Sequence, residues 1–283
     1  MYSMRQIDLH THSTASDGTC TPAEIVALAA RQGLAAVALT DHDTVLGYPE
    51  LAEAAASLGL ETVPGIEIST KYGGAVHILG YYIDPHSPAL EPVLNWVVHD
   101  RDERNEKMCA LMAADGLPVS YEDMKRRFGE VIGRPHFADI LVELGLASSV
   151  RDAFDRYVEK GQRYYVPRTI LPIEQAISII RLSGGVPVLA HPFQYKRDDA
   201  GLRELIEYCM EQGLRGMECR YSGYTPEQSA YLEALAEEYG LVKTGGSDFH
   251  GSNKPQIALG TGISGTLSVP YEWLGRLKEL AVK

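Results

Sequence analysis

Apolar and polar positions along this chain repeat in one order: an amphipathic helix opened by a capping residue, a glycine stop, a short apolar run, then a polar residue. Thr21-Pro22-Ala23-Glu24 is a capping box with proline at the first helical position. Ile25, Val26, Leu28 and Ala29 form that helix's apolar stripe, and Gly33 stops it. The β-branched and alanine-rich run at 35–40 predicts a strand that delivers Asp41-His42-Asp43. A helix at 49–58 ends near Gly59, a strand at 61–69 carries Glu67, and a neighbouring strand at 76–82 carries His77.

The second half repeats the unit. A helix at 173–182 ends at Gly184-Gly185, and a strand at 186–190 leads into His191-Pro192. A helix at 202–210 stops at Gly213, and 216–219 leads to Arg220. Thr225-Pro226-Glu227-Gln228 opens a helix that Gly240 stops, and 241–246 leads into Ser247-Asp248-Phe249-His250. An amphipathic helix at 271–281 closes the chain. Helix and strand in this alternation predict an α/β fold with a parallel sheet, most simply a distorted (β/α)7 TIM-like barrel of about seven strands. An open doubly wound sheet is the alternative. Polar residues then fall at the C-terminal strand ends, where barrels place their chemistry.

The rhythm breaks at 88–167, a helical, charged stretch that reads as a cap inserted over the mouth of a barrel built from 1–87 and 168–283. Its charge runs, Asp100-Arg101-Asp102-Glu103-Arg104 and Lys125-Arg126-Arg127, read as solvated faces.

A chain of 283 residues at 45% hydrophobic content can bury such a core. Residues 1–6 lack an apolar h-region and no 18 apolar residues run together, so neither a secretory signal nor a membrane span is expected. Cys20, Cys109, Cys209 and Cys219 show no C-x-x-C spacing and read as reduced, in a cytoplasmic protein. The net charge of −12 argues against duplex nucleic acid as a partner, which needs a cationic face. No G-x-G-x-x-G or P-loop supports a dinucleotide or NTP site.

The candidate chemistry is metal binding. Ile7-Asp8-Leu9 is a buried strand leading to His10-Thr11-His12, and residues i and i+2 of a strand share a face, so both imidazoles can meet one ion. Asp17, His42, Glu67, His77, His191, Asp248 and His250 sit at other expected strand ends or in the loop beside Gly18. Six of the chain's nine histidines are in that set. Burying so many titratable groups without metals would cost several kcal/mol each. Nine donors suit two or three ions, and mixed imidazole and carboxylate ligation fits manganese, iron or zinc, of which manganese is the expected ion.

In order and wording these segments resemble the PHP (polymerase and histidinol phosphatase) superfamily. The matching pieces are Asp8-Leu9-His10-Thr11-His12, Ser16-Asp17-Gly18, Thr40-Asp41-His42-Asp43, Gly65-Ile66-Glu67, His77, Ala190-His191-Pro192 and Gly246-Ser247-Asp248-Phe249-His250. Thr40-Asp41-His42-Asp43 together with Arg134-Pro135-His136-Phe137 looks like the TrpH-type phosphoesterases. The resemblance implies one ion on His10, His12, Glu67 and Asp248, a second on Asp17, His42 and His250, and a third on His77 and His191 with Glu67 bridging. Asp17, His191 and His250 then count among the catalytic residues. It further implies in-line attack on phosphorus by a metal-bridging hydroxide, with a small nucleotide or short oligonucleotide as substrate.

Arg134 and His136 are the resemblance's candidates for a phosphate clamp, and Arg220, at a strand end, is a weaker one. Tyr164 and Tyr165 offer a base-stacking surface, although core packing is the commoner use of such aromatics. The expected activity is a 3',5'-nucleotide bisphosphate phosphatase or a 5'-3' exonuclease on short 5'-phosphorylated oligonucleotides. A histidinol-phosphate phosphatase is the alternative, against which the long insertion weighs. A non-catalytic PHP module would need a degraded ligand set, and hydrolysis of C–N bonds would call for a bridging lysine that no strand end provides.

Overall fold

The computed structural model describes residues 5–129 and 131–281. The strands are β1 (Gln6–Asp8), β2 (Ala36–Leu39), β3 (Glu61–Lys71), β4 (Ala75–Tyr81), β5 (Leu171–Pro172), β6 (Val186–Leu189), β7 (Gly216–Tyr221), β8 (Val242–Gly246), β9 (Ile257–Ala258), β10 (Gly262–Ile263) and β11 (Val269–Pro270). The helices are α1 (Pro22–Arg31), α2 (Tyr48–Ala55), α3 (Glu91–Ala114), α4 (Tyr121–Phe128), α5 (Arg134–Glu143), α6 (Val150–Ala153), α7 (Ile173–Leu182), α8 (Asp199–Gln212), α9 (Pro226–Glu238) and α10 (Glu272–Ala281). Thr21 and Thr225 cap α1 and α9 with complete capping boxes, as their sequences predict.

Two compact units divide the chain: residues up to Val93 together with those from Ile170 onward, and Leu94–Thr169. In the first, the strands pair in the order β11-β1-β2-β3-β4-β6-β7-β8, with β5 beside β3. Backbone bonds then tie the end of β1 to the end of β8. Leu9 N–H donates to Gly245 O (3.1 Å), Asp248 N–H to His10 O (2.8 Å) and His12 N–H to Phe249 O (2.9 Å). The sheet therefore curls into a nearly closed barrel.

The expectation of a wholly parallel sheet needs correction. β4 runs antiparallel to both β3 and β6, and β11 antiparallel to β1. Only Tyr72-Gly73-Gly74 separate β3 from β4, far too few residues for a crossover.

Burial follows the two-residue period of a strand. Ala36 and Ala38 of β2 join Ile7, Val63, Leu79 and Val188 in one cluster, while Val37 and Leu39 pack with Ile25, Val26 and Leu51 of α1 and α2 in another. Both faces of β2 are thus covered, which explains its unbroken apolar run.

The Leu94–Thr169 unit has its own core around Met108, Met112, Phe137 and Leu141, and Tyr164 belongs to it, its hydroxyl donating to Asp115 at 2.8 Å. Tyr164 is therefore a packing residue. The reading of 100–104 as a solvated run also fails: Arg101 and Arg104, one helical turn apart on α3, are buried at 4% and 7% exposure. The Arg126 and Arg127 side chains do lie at the surface, on Asp123 and Glu143.

All four cysteines are free thiols. Among the described residues no helix is long and apolar enough to cross a membrane.

Candidate metal centre

The site forms where β1, β2, β6 and β8 end, beside Glu67 within β3 and His77 within β4. Two buried carboxylates brace it from behind. Asp8 accepts from Ser247 N–H (2.8 Å), Ser247 Oγ–H (2.5 Å), Gly260 N–H (2.7 Å) and His10 N–H (3.2 Å), fastening the ends of β1 and β8 together. Asp41 accepts from Ser13 N–H (2.7 Å), Ser13 Oγ–H (2.7 Å) and Ser16 Oγ–H (2.6 Å), which shapes the loop leading to Asp17. Burial raises both carboxyls above their ordinary range in spite of these donors.

Glu67 lies at the middle and faces five imidazoles. Its Oε2 is 3.4 Å from His10 Nε2, 3.3 Å from His12 Nε2 and 3.2 Å from His42 Nδ1. Its Oε1 is 2.9 Å from His77 Nδ1 and 2.9 Å from His191 Nε2. Asp248 Oδ1 lies 3.3 Å from His12 Nε2 and 3.3 Å from His250 Nδ1, while Asp17 Oδ1 lies 3.3 Å from His250 Nε2. All nine residues read from the sequence as metal ligands are brought together.

Their donor atoms suit metal ions. Three overlapping groups place their atoms within 4.8 Å of one another: His12, Asp17, His42 and His250; His10, His12 and Glu67; and His42, Glu67 and His77. His10 Nε2, both ring nitrogens of His12, His42 Nδ1 and His191 Nδ1 are buried without a hydrogen-bond partner among the described residues. Orphaned buried nitrogens are costly unless their lone pairs reach a cation.

The charges tell the same story. Burial opposes ionisation of Glu67, but His42, His77 and His10 outweigh it and hold the carboxyl well below its ordinary range. Asp17 and Asp248 are held down likewise, against burial, chiefly by His250 and His42 for the first and Lys254 and His250 for the second. Burial disfavours the His12 cation, yet Asp248 and Glu67 lift it to about 9. Burial dominates at His42 and takes it to about 3. Carboxylates this strongly ionised among imidazoles form a cluster able to hold divalent metals.

The PHP domain family model matches residues 8–241. The chain belongs to the PHP domain family. It is 37% identical over 257 residues to the 5'-3' exoribonuclease Rnm of Escherichia coli K12, spanning 89% of this chain and 87% of the relative. It is 36% identical over 250 residues to a 3',5'-nucleoside bisphosphate phosphatase of Chromobacterium violaceum, spanning 87% and 88%. The crystal structure of a Bifidobacterium adolescentis protein named a metal-dependent phosphoesterase superposes with a TM-score of 0.85 at 31% identity, covering 99% of this chain and 97% of that one.

Arg220 is not part of this PHP centre. Its guanidinium pairs with Glu233 (2.7 Å), donates to Ser268 O (2.6 Å) and lies over the Trp273 ring. The cause is a bulge in β7: Glu218 pairs with Thr244 but Arg220 with Gly245, so Cys219 is an extra residue. The bulge turns Arg220 away and brings Tyr221 in.

Three residues of the site carry no local signal in the sequence. Glu218 is buried against His10, while Tyr221 and Lys254 both bond Asp248 Oδ2 at 2.6 Å. Arg134 and His136 lie in the Leu94–Thr169 unit, at the start of α5. Arg134 pairs with Glu159 (3.3 Å) near the Tyr165 ring, and buried His136 accepts the Gly133 N–H on Nδ1 (3.0 Å).

Proposed function

We propose that this PHP protein is a metal-dependent phosphoesterase acting on nucleotides, either releasing phosphate from 3',5'-nucleoside bisphosphates or shortening 5'-phosphorylated oligonucleotides from the 5' end. The observation that carries the reading is Glu67, with its two oxygens divided between five imidazoles. A carboxylate so placed would hold divalent ions together with those imidazoles. The names of the relatives supply the substrate class.

We assign His10, His12, Glu67 and Asp248 to one ion, Asp17, His42 and His250 to a second, and His77 and His191 with Glu67 to a third, manganese being the first choice. Asp17, His191 and His250 thereby belong to the catalytic set. Ions held there supply charge neutralisation for a phosphoryl group and acidify water.

For the anionic part of the substrate we assign Arg134 and His136. What supports them is their surroundings: burial and the charges of Arg168, Arg134 and Arg101 push Arg104 down to about 9. Such a concentration of arginines favours a phosphate, which guanidinium groups bind in bidentate fashion. With its thiols free, the enzyme fits a reducing compartment, the cytoplasm.

The test is phosphate and nucleoside release, with added Mn²⁺, from adenosine 3',5'-bisphosphate, AMP, a 5'-phosphorylated dinucleotide and histidinol phosphate. Release of the 3'-phosphate from the bisphosphate alone identifies a small-nucleotide phosphatase. Mononucleotides from the dinucleotide identify an exonuclease. Turnover of histidinol phosphate alone overturns the substrate class.

A further inference from the structure

Strand β7 supplies none of the nine donors, yet two of its side chains hold three of them. Glu218, fully buried, divides its carboxylate: Oε1 lies 2.9 Å from His10 Nδ1, and Oε2 accepts the backbone N–H of His191 at 2.8 Å. Three residues on, Tyr221 donates its hydroxyl to Asp248 Oδ2 at 2.6 Å. In a regular strand, residues 218 and 221 would point to opposite faces. The extra residue at Cys219 brings both to the metal centre.

Each contact has a definite consequence for a donor. A carboxylate only accepts, so a proton is held on His10 Nδ1, and Nε2, facing Glu67 and Asp248, is the nitrogen whose lone pair would be offered to an ion. His191 sits at φ 27° and Asp248 at φ 57°, backbone conformations that L residues adopt only when neighbours hold them there. Glu218 holds the first through its N–H. Tyr221 and Lys254 occupy Oδ2 of Asp248, which leaves Oδ1 facing His10, His12 and His250.

We propose that Glu218 and Tyr221 are positioning residues of the metal centre, and that Glu218 couples the ion held by His10 to the ion held by His191. The inference rests on the metal assignment made above, not on the identity of the substrate. Glu218→Gln preserves volume but replaces one accepting oxygen with an amide donor, so one of His10 and His191 loses its acceptor outright and the other keeps a neutral amide oxygen in place of a charged carboxylate. Tyr221→Phe removes only the bond to Asp248.

Metal-stripped wild type, Glu218→Gln and Tyr221→Phe are titrated with Mn²⁺ by calorimetry, and bound metal is counted after dialysis. Circular dichroism in EDTA establishes that each is folded. Loss of an outer hydrogen-bond partner weakens metal binding by about 10- to 100-fold. Glu218→Gln is expected to weaken two ions by that factor, and Tyr221→Phe the one on Asp248 alone. Wild-type affinity and metal count in both variants overturn the proposal, as does a loss in Glu218→Gln confined to one ion. If Glu218→Gln does not fold, wild-type Mn²⁺ affinity in Tyr221→Phe overturns it. Failure of the wild type to bind Mn²⁺ overturns this proposal and the metal assignment together. Tight Mn²⁺ binding without hydrolysis of any phosphate ester strikes the functional reading alone.

Discussion

One hydrogen atom at position 246 decides how closely two strands can meet. A Cβ on Gly246 would lie 2.3 Å from both N and Cβ of His10, inside any allowed contact. Gly246→Ala must therefore push His10 off its path, and overpacking of this kind costs about 1–3 kcal/mol. The expected result is a lower midpoint in urea together with weakened Mn²⁺ binding; an unchanged metal titration would show that His10 is not a ligand. The donors themselves make a sharper case. His42 faces Glu67 Oε2 at 3.2 Å and Asp248 faces His12 at 3.3 Å, so alanine at either removes a proposed ligand without opening the apolar core. Losing a ligand should cost more than the roughly 100-fold upper range for an outer partner. Each variant should fold, by circular dichroism, and show turnover reduced by more than that factor; full activity in either would sink the ligand assignment.

Elements were legible where local chemistry alone determines them. The capping boxes at Thr21 and Thr225 open real helices, and the polar residues after the apolar runs converge, because a parallel strand's end is fixed by where its apolar face stops. What escaped depends on tertiary contacts. The alternation in Gly216-Met217-Glu218-Cys219-Arg220 puts Glu218 and Arg220 on one face, and nothing local announces the bulge that separates them. The reversal of β4 depends on a three-residue link that reads equally as a surface turn. On α3, a run of alternating charge gave no sign that Arg101 and Arg104 are buried. Burying a guanidinium among like charges is a poor way to stabilise a helix, and apolar replacement of buried charge is often neutral or stabilising by about 1–4 kcal/mol. Arg104 Nε, moreover, has no hydrogen-bond partner among the described residues. Arg104→Met is therefore expected to match or exceed the wild-type melting temperature by differential scanning calorimetry. A destabilised variant would make the buried Arg104 guanidinium a structural anchor instead.

At the scale of the whole molecule, the site is a concentration of charge that the fold alone does not balance. The chain carries −12 formally, and Asp17, Glu67 and Asp248 are held well below the ordinary carboxylate range in a cluster whose imidazoles, among the described residues, lack partners for several ring nitrogens. Without ions that balance rests on protons taken up by His10 and His12, which their carboxylate neighbours raise against burial. With ions, the same carboxylates and imidazoles become ligands, and any ligand that binds only the folded state stabilises it in proportion to the logarithm of its concentration. At about 100 times Kd one bound ion contributes ~2.7 kcal/mol, and for a unit of this size each kcal/mol moves Tm by about 2–4 °C. Differential scanning calorimetry in excess Mn²⁺ should therefore place the transition of the barrel at least about 5 °C above its value in EDTA, rising further with metal concentration. Coincident melts in the two conditions would mean that nine converging donors hold no ion in the folded protein, and the phosphoesterase reading would fall with them.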